Sequence, residues 1–130
     1  MVVLGVGVDA IEIGRVETAL RRTPGLLAHL YTERERAGCM TRCGDTRYPG
    51  LAARFAAKEA VAKAFGTGVR GFAFRDIEVL NDELGRPVVH LHDGAATLAA
   101  QRGVGIVHLS LSTSATLAIA NVVMEARTAE

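Results

Sequence analysis

Three charged side chains, those of Lys58, Glu59 and Lys63, interrupt a run of small and apolar residues that extends from Phe55 to Gly68. Glu59 and Lys63 are four residues apart, so a helix would point both side chains from one face toward a common spot. A carboxylate and an ammonium group aimed at one spot can hold an anion, the carboxylate through a divalent cation and the lysine directly. This spacing therefore predicts a site for phosphate chemistry.

The same pair has a simpler interpretation as an ion pair on a solvated helix face, which Arg54 and Lys58 would extend. Glutamate followed by lysine at i, i+4 stabilises a helix by about 0.2–0.5 kcal/mol and needs no ligand. The glycines that end the run also have two interpretations, a left-handed helix cap or room for a ligand to approach the backbone. These residues alone leave both interpretations open.

Asp9 is a third candidate, at the end of an apolar segment that contains Gly5 and Gly7. The spacing Gly5-x-Gly7-x-x-Ala10 superficially matches a dinucleotide-binding fingerprint. The context argues against it, because no alternating strand–helix units follow and Asp9 would face the pyrophosphate. The simpler alternative is a carboxylate at the N-terminus of the next helix, where the helix dipole favours negative charge.

His108, Ser110 and Ser112 alternate along an apolar segment, so they share one face of a strand. A serine hydrolase is poorly supported, since no nucleophile elbow is present and both serines lie inside the strand. The simpler interpretation is a solvent-facing strand side. Cys39 and Cys43 lack zinc-site spacing, and His29 is the only further candidate ligand nearby, so we expect two reduced thiols.

Periodicity and turn signals predict the elements that must position these residues. The segment from Val2 to Asp9 predicts a strand, and a helix follows over about Glu12 to Arg22. Short helical pieces come next, the second of them opened by a capping box at Thr32. Pro49 begins the longest helix, which Gly66 ends. Its many alanines would let another element approach closely.

The second half of the chain predicts four strands and one short helix. Asp93 is suited to cap that helix, which runs through Gln101. The predicted strands are Asp76 to Leu80, Pro87 to Leu91, Ile106 to Ser112 and Thr116 to Met124. This order predicts an α+β fold, in which a mostly antiparallel sheet packs against a long central helix and shorter helices. We expect a single domain over residues 1–130.

Composition excludes several functional classes. The 130 residues are 49% hydrophobic and 22% charged, as in globular proteins, and a net charge of +1 does not indicate a nucleic-acid partner. Basic residues outnumber acidic ones between Arg15 and Lys58, which would suit an acidic partner or simply a solvated helical surface. No apolar run has membrane-spanning length and no signal segment is evident, so we expect a cytoplasmic protein with no membrane partner.

Several motifs occur together in a specific order. They are Gly5-Val6-Gly7-Val8-Asp9 with Arg15, the block from Arg54 to Gly68, Asp76-Ile77-Glu78-Val79, Gly85-Arg86-Pro87, and Ser110-Leu111-Ser112. Over nearly the whole chain this pattern resembles the small holo-acyl-carrier-protein synthase family of 4′-phosphopantetheinyl transferases. The resemblance implies an enzyme that transfers phosphopantetheine from coenzyme A to a serine of an apo acyl carrier protein and releases adenosine 3′,5′-bisphosphate. It also implies a homotrimer with active sites between subunits.

The resemblance assigns roles to individual residues. It implies a catalytic set of Asp9, Glu59 and Lys63, in which the two carboxylates hold Mg²⁺ and the lysine steadies the phosphates. Magnesium suits such a site because it binds through one or two carboxylates plus substrate phosphates. The implied coenzyme A contacts are Arg54, Lys63, Gly66, Gly68, Pro87, Ser112, Thr113 and Ser114, with Arg54 reaching the 3′-phosphate from a neighbouring subunit. An acidic carrier protein would dock on Arg15, Arg21 and Arg22.

Thr113 departs from the family pattern, which usually has a histidine directly after the Ser-x-Ser motif. Threonine can donate a hydrogen bond but does not titrate near neutrality. We therefore expect activity with weakened coenzyme A affinity or an altered pH dependence. The alternative is a catalytically impaired module of the same fold that binds carrier protein or coenzyme A. A purely structural trimerisation domain would leave Asp9, Glu59 and Lys63 unexplained.

Overall fold

The computed structural model describes residues 1–128 and contains two antiparallel sheets. The larger sheet has the order β1-β5-β4, built from β1 (Val3–Glu12), β4 (Val104–Thr113) and β5 (Leu117–Ala126). The smaller sheet pairs β2 (Ile77–Asn81) with β3 (Pro87–Leu91). The predicted α+β fold with antiparallel strands is confirmed, and its strands are divided between two sheets.

The described residues form five α-helices, and the longest of them packs against all three strands of the larger sheet. They are α1 (Ile13–Arg22), α2 (Gly25–Leu30), α3 (Glu33–Gly38), α4 (Tyr48–Phe65) and α5 (Asp93–Arg102), with a 3₁₀ turn at Phe74–Asp76. The capping box predicted at Thr32 is present, because the Thr32 hydroxyl accepts from the Glu35 amide and the Glu35 carboxylate accepts from the Thr32 amide. Within the described residues, no helix is both long and apolar enough to cross a bilayer.

Helix α4 is the centre of the molecule. Its buried side chains belong to both hydrophobic clusters, one shared with β2, β5 and α5 and the other with α1 and Tyr31. Most of these side chains are alanines. Because alanine is small, neighbouring elements can pack closely against nearly all sides of the helix. The predicted central helix is therefore confirmed.

Gly5 and Gly7 bring β1 into direct contact with the backbone of α4. A Cβ atom on Gly5 would collide with the carbonyl oxygen of Ala64, and one on Gly7 would collide with that of Ala60. Only glycine permits this approach, because any side chain would push the strand off the helix. The glycine spacing that resembles a dinucleotide fingerprint therefore serves strand–helix packing.

Most predicted element ends lie within two residues of those in the structure, and two differences change how a residue is interpreted. Strand β1 continues to Glu12, because residues Asp9 through Glu12 remain paired with β5. Asp9 therefore lies inside a strand, and the alternative that made it a helix N-terminal carboxylate is wrong. Asp93 is the first residue of α5 with φ +46°, and His92 occupies the N-cap position without a side-chain cap, so the predicted Asp93 cap is also wrong.

Candidate active site

Lys63 joins α4 to β1 through its ammonium group. Its Nζ donates to Oδ1 of Asp9 at 3.1 Å and to the carbonyl oxygen of Val8 at 2.9 Å. Lysine reaches the strand because the glycines of β1 allow the helix to lie so close. Within residues 1–128, Lys63 makes no ion pair with Glu59, so the predicted Glu59–Lys63 surface pair is wrong.

Glu59 lies near enough to Asp9 for their charges to interact. Burial raises the pKa of Glu59, the Asp9 charge raises it further, and the Lys63 charge opposes both effects. Two carboxylates that repel each other form an oxygen donor set that a divalent cation would neutralise. Asp9 and Glu59 thus fit the expected Mg²⁺. Across the described chain, no cluster of three or more His, Cys, Asp or Glu side chains could hold a metal, so water and substrate would complete the coordination.

A cleft of about 350 Å³ leads from Glu59 to α1. Its walls are mainly apolar and include Phe55, Phe74 and Tyr31, whereas Arg15 provides a positive charge at the side formed by α1. We call this space the Glu59 cleft. It connects one predicted docking arginine with one predicted metal ligand.

A second cleft of about 290 Å³ brings together four of the predicted coenzyme A residues: Arg54, Pro87, Ser112 and Thr113. We call it the Arg54 cleft. Arg54 is only 7% exposed, and it is fixed because Nε donates to the Val79 carbonyl at 3.0 Å and Nη1 donates to the Gly50 carbonyl. The prediction that Arg54 belongs to a surface face is therefore wrong. Arg47 also lines this cleft, and we did not predict it.

The remaining predicted coenzyme A residues lie outside the Arg54 cleft. The Ser114 hydroxyl accepts from the amides of Thr116 and Leu117 and closes the turn between β4 and β5. Gly66 caps α4 in the left-handed conformation with φ +79°, and its N–H donates to the Lys63 carbonyl. The helix-cap interpretation of Gly66 is therefore confirmed. Gly68 is also left-handed, at φ +64°.

The two clefts lie on different sides of α4. Arg54 and Glu59 are five residues apart, which rotates their side chains by about 140° relative to each other around the helix. Among residues 1–128, none lines both clefts. The predicted site residues therefore form two separate groups on one chain, one around Glu59 and Lys63 and the other around Arg54.

The three predicted docking arginines are exposed on α1 but differ in their surroundings. Arg15 and Arg22 are seven residues apart, so they share one helix face. Arg21 points elsewhere, where it pairs with Glu17 at 2.9 Å and lies over the Tyr48 ring at 5.1 Å from the ring centroid. Arg15 and Arg22 therefore form the coherent positive surface.

Lys58 is the largest difference from the sequence-based interpretation. The prediction that it lies on a surface face is wrong, because its side chain is fully buried and its Nζ pairs with Glu35 at 2.8 Å. The available signal was its apolar neighbours at helical spacing, including Ala62 and Val61. The sequence did not indicate that Glu35 would be buried beside Lys58, because the capping box with Thr32 already explained a glutamate at this position.

The predicted polar side of β4 is confirmed. His108, Ser110 and Ser112 are exposed on the face of the sheet that points away from α4, and His108 pairs there with Glu125 at 2.9 Å. Both cysteine thiols are free, with Cys39 buried and Cys43 exposed.

Comparison with known proteins identifies this arrangement. The family model described as the 4′-phosphopantetheinyl transferase superfamily matches residues 5–120. A holo-acyl-carrier-protein synthase from Clostridium perfringens is 47% identical over 127 residues, which cover 95% of this chain and 94% of that protein. The chain belongs to this transferase family. The resemblance and the prediction of an enzyme are thereby confirmed.

Solved structures of the family agree with the fold. The holo-acyl-carrier-protein synthase of Neisseria meningitidis matches with a TM-score of 0.85 and 31% identity, covering 95% of this chain and 99% of that one. The Bacillus anthracis holo-acyl-carrier-protein synthase, solved in complex with coenzyme A (3′,5′-ADP), matches with a TM-score of 0.78 and 36% identity, covering 96% and 98%. This phosphopantetheinyl transferase therefore shares the complete fold of its relatives.

Proposed function

We propose that this transferase moves 4′-phosphopantetheine from coenzyme A to a serine of an apo acyl carrier protein and depends on Mg²⁺. The observation that carries the proposal is the cluster of Asp9, Glu59 and Lys63, which joins two carboxylates and an ammonium group beside an open cleft. The relatives' names supply the carrier protein, and the Bacillus anthracis complex supplies coenzyme A.

The reaction is a displacement at phosphorus. The serine oxygen of the carrier protein bonds to the phosphorus that bears pantetheine, and the hydroxyl proton is released. The bond from that phosphorus to the bridging oxygen breaks, and the leaving group is adenosine 3′,5′-bisphosphate. Because the nucleophile belongs to the partner, the enzyme needs mainly to position the groups and to stabilise charge.

Each residue of the cluster has a distinct task in this reaction. Asp9 and Glu59 would hold Mg²⁺, which when bound neutralises the pyrophosphate and orients it for attack. Lys63 would donate to the phosphate oxygens and the departing bridging oxygen. On the other side of α4, Arg54 would bind the adenosine 3′-phosphate, since an arginine already fixed in place loses little freedom on binding.

The two groups of site residues lie in separate clefts, which favours an active site formed between subunits. The homotrimer that we propose would provide such a site. A neighbouring chain could place its Arg54 cleft opposite the Glu59 cleft of this one. The outer face of the larger sheet provides a surface for that contact, because Val6 and Val8 are 65% and 59% exposed and Ile119 is 40% exposed. Ser112 lies on this face and also lines the Arg54 cleft, so the cleft adjoins the proposed interface.

The carrier protein would dock on α1. Arg15 and Arg22 share a face, and Arg15 lines the Glu59 cleft, which leads toward the proposed metal ligands. An acidic carrier surface would thus deliver its serine beside the metal site. Arg21 contributes less in this arrangement, because Glu17 already neutralises it.

Glu59→Gln tests the metal assignment. The variant keeps the shape of the side chain but removes the charge, so we expect transfer to fall by at least about a hundredfold while coenzyme A still binds. Transfer by the unaltered chain separates this function from the impaired binding module, for which Thr113 is the only support. A Glu59→Gln variant that keeps the full rate would refute the metal role.

A further inference from the structure

The ammonium group of Lys58 is held by three acceptors inside the protein. Its Nζ donates to Oε1 of Glu35 at 2.8 Å, to the carbonyl oxygen of Phe74 at 3.1 Å and to the carbonyl oxygen of Ile77. Three acceptors match the three protons that a lysine ammonium carries. Lys58 therefore has a single defined position between α4, the 3₁₀ turn and the start of β2.

Glu35 is equally constrained. Its Oε1 also accepts from the Thr32 amide, and its Oε2 accepts from the Val79 amide at 2.9 Å. Neither Glu35 nor Lys58 is exposed to solvent at all. One carboxylate thus fixes α3, α4 and β2 relative to one another.

Stability alone does not account for a pair of this kind. Removing two charges from water costs nearly as much as their attraction returns, and apolar residues in such a place are often equally stable. Charges with fully satisfied hydrogen bonds do differ from apolar side chains in one respect. They fix the position and rotation of the helix that carries them, because displacement of that helix would leave a buried charge unpaired.

The rotation of α4 that this pair fixes also determines the orientation of the proposed metal ligand Glu59. Lys58 immediately precedes Glu59, so the two side chains diverge by about 100° around α4, and fixing the first fixes the second. The same pair supports the walls of the Glu59 cleft. Phe74, whose carbonyl accepts from Lys58, packs its ring 5.4 Å from that of Phe55, and Lys58 Nζ lies 5.6 Å from the Tyr31 ring.

We propose that the buried Lys58–Glu35 pair positions Glu59 for Mg²⁺ binding. Both are positioning residues, since neither contacts the space where substrate would bind. This inference rests on the proposed function, because it concerns the same metal site. It adds that the rotational setting of α4, defined by residues that do not line the Glu59 cleft, determines the affinity for the metal ion.

Two variants test the inference, so that it stays testable even when one of them fails to fold. Glu35→Asp keeps the charge pair but draws the carboxylate back by one methylene group, and Lys58→Met removes the charge while keeping most of the volume. We expect Mg²⁺ affinity, measured by calorimetry on the coenzyme A-saturated protein, to fall at least about tenfold in Glu35→Asp and further in Lys58→Met. The turnover number should fall in parallel, while KM for carrier protein stays within about twofold because α1 is not held by the pair.

Val61→Ala is the matched control, since Val61 is fully buried in α4 but contacts neither member of the pair by hydrogen bond. We expect it to lower the melting temperature without changing Mg²⁺ affinity. The inference is overturned if Glu35→Asp and Lys58→Met lose thermal stability as Val61→Ala does but keep the Mg²⁺ affinity of the unaltered chain. An unaltered chain that binds no Mg²⁺ would overturn the proposed metal site itself, and this inference with it.

Discussion

Lys63 and Asp9 are separated by 54 residues in the sequence, yet the lysine Nζ lies 3.1 Å from the aspartate Oδ1. This contact joins the end of the central helix to the middle of the first strand, and it brings the charge of Asp9 toward Glu59. The ammonium group therefore neutralises one of the two carboxylates that would hold the metal ion. Mg²⁺ at the proposed site would therefore compete with Lys63 for Asp9.

We predict that Lys63→Met tightens Mg²⁺ binding while it abolishes transfer. A half-exposed ion pair of this kind contributes about 0.2–1 kcal/mol, so loss of the competitor should improve Mg²⁺ affinity by up to about fivefold. Transfer should fail because Lys63 would no longer donate to the phosphate oxygens and the departing bridging oxygen. Calorimetry of Mg²⁺ binding without coenzyme A measures the first effect, with the exposed Arg75→Met as a control for loss of one positive charge. Weaker Mg²⁺ binding in Lys63→Met would contradict the competition.

Gly7→Ala should destabilise the protein by about 1–3 kcal/mol or more, because the added methyl group overlaps the Ala60 carbonyl oxygen and cannot be accommodated by a rotamer change. The displaced strand would also carry Asp9 away from Glu59, the other proposed metal ligand, so Mg²⁺ binding should weaken. Chemical denaturation measures the first effect. Gly14→Ala is the control, since nothing lies within 4 Å of its added methyl group, and in a helix it should stabilise by about 0.4–1 kcal/mol. Equal stability of the two variants would argue against strand–helix packing as the role of Gly7.

Val6→Arg should break the proposed trimer and stop transfer. Val6 is 65% exposed on the outer face of the larger sheet, and a charge there could not be buried between subunits. Light scattering should find the mass of one chain for the variant and of three for the unaltered protein. Leu84→Arg, at an apolar position 94% exposed in the β2–β3 hairpin, should change neither mass nor rate. A Val6→Arg variant that stays trimeric would place the interface elsewhere.

Thr113→His should strengthen coenzyme A binding or shift the pH dependence of transfer. The side chain lines the Arg54 cleft beside Ser112, where an imidazole can donate to a phosphate and carry positive charge below neutrality. The measurement is KM for coenzyme A between about pH 6 and 8, bracketing the ordinary histidine pKa. Thr97→His on the exposed side of α5 controls for the added residue. Unchanged kinetics in Thr113→His would count against a role for this position.

Glu78 should make stability sensitive to acid. Burial alone would raise the pKa of Glu78, but hydrogen bonds from Thr32 and His92 and the charge of Arg34 hold this pKa below its ordinary value of 4.5. A carboxylate with a lowered pKa stabilises the fold above its unfolded pKa, and that contribution is lost as the pH falls through the folded value. Glu78→Gln should therefore be about 1.5–3 kcal/mol less stable near pH 7, and the difference should shrink below pH 4.5.

Denaturation curves across this pH range measure the effect in Glu78→Gln. Glu83→Gln serves as control, because Glu83 is exposed in the hairpin and should show no pH-dependent difference from the unaltered chain. A Glu78→Gln deficit that stays constant from neutral to acidic pH would show that the charge of Glu78 does not contribute.

Local signals predicted most of the fold. Pro49 and Gly66 bounded the long helix to within a residue, and the alternation around His108 identified the outward face of β4. Strand pairing was harder to foresee. Asp9 resembled a strand end because it is charged, whereas the register with β5 continues through Glu12 and keeps Asp9 inside the strand. The residues around Asp9 do not indicate that β5, far away in the sequence, pairs with this part of β1.

The candidate site was predictable in its residue types but only partly in its arrangement. Helical spacing placed Glu59 and Lys63 on one face, yet it paired them with each other, because the approach of β1 that offers Asp9 to Lys63 is a tertiary effect. Burial of Lys58 was missed for the same reason. Its partner Glu35 comes from a helix distant in sequence, and a lysine without a known partner is expected at the surface.

The most direct test is the mass of an apo acyl carrier protein after incubation with this transferase, coenzyme A and Mg²⁺. Intact-protein mass spectrometry should find one added phosphopantetheine group per carrier, with adenosine 3′,5′-bisphosphate released in equal amount. Removal of Mg²⁺ with a chelator, or Glu59→Gln, should leave the carrier mass unchanged. A carrier that stays unmodified in the complete mixture, while coenzyme A remains bound to the protein, would contradict the transfer function and support a binding module in its place.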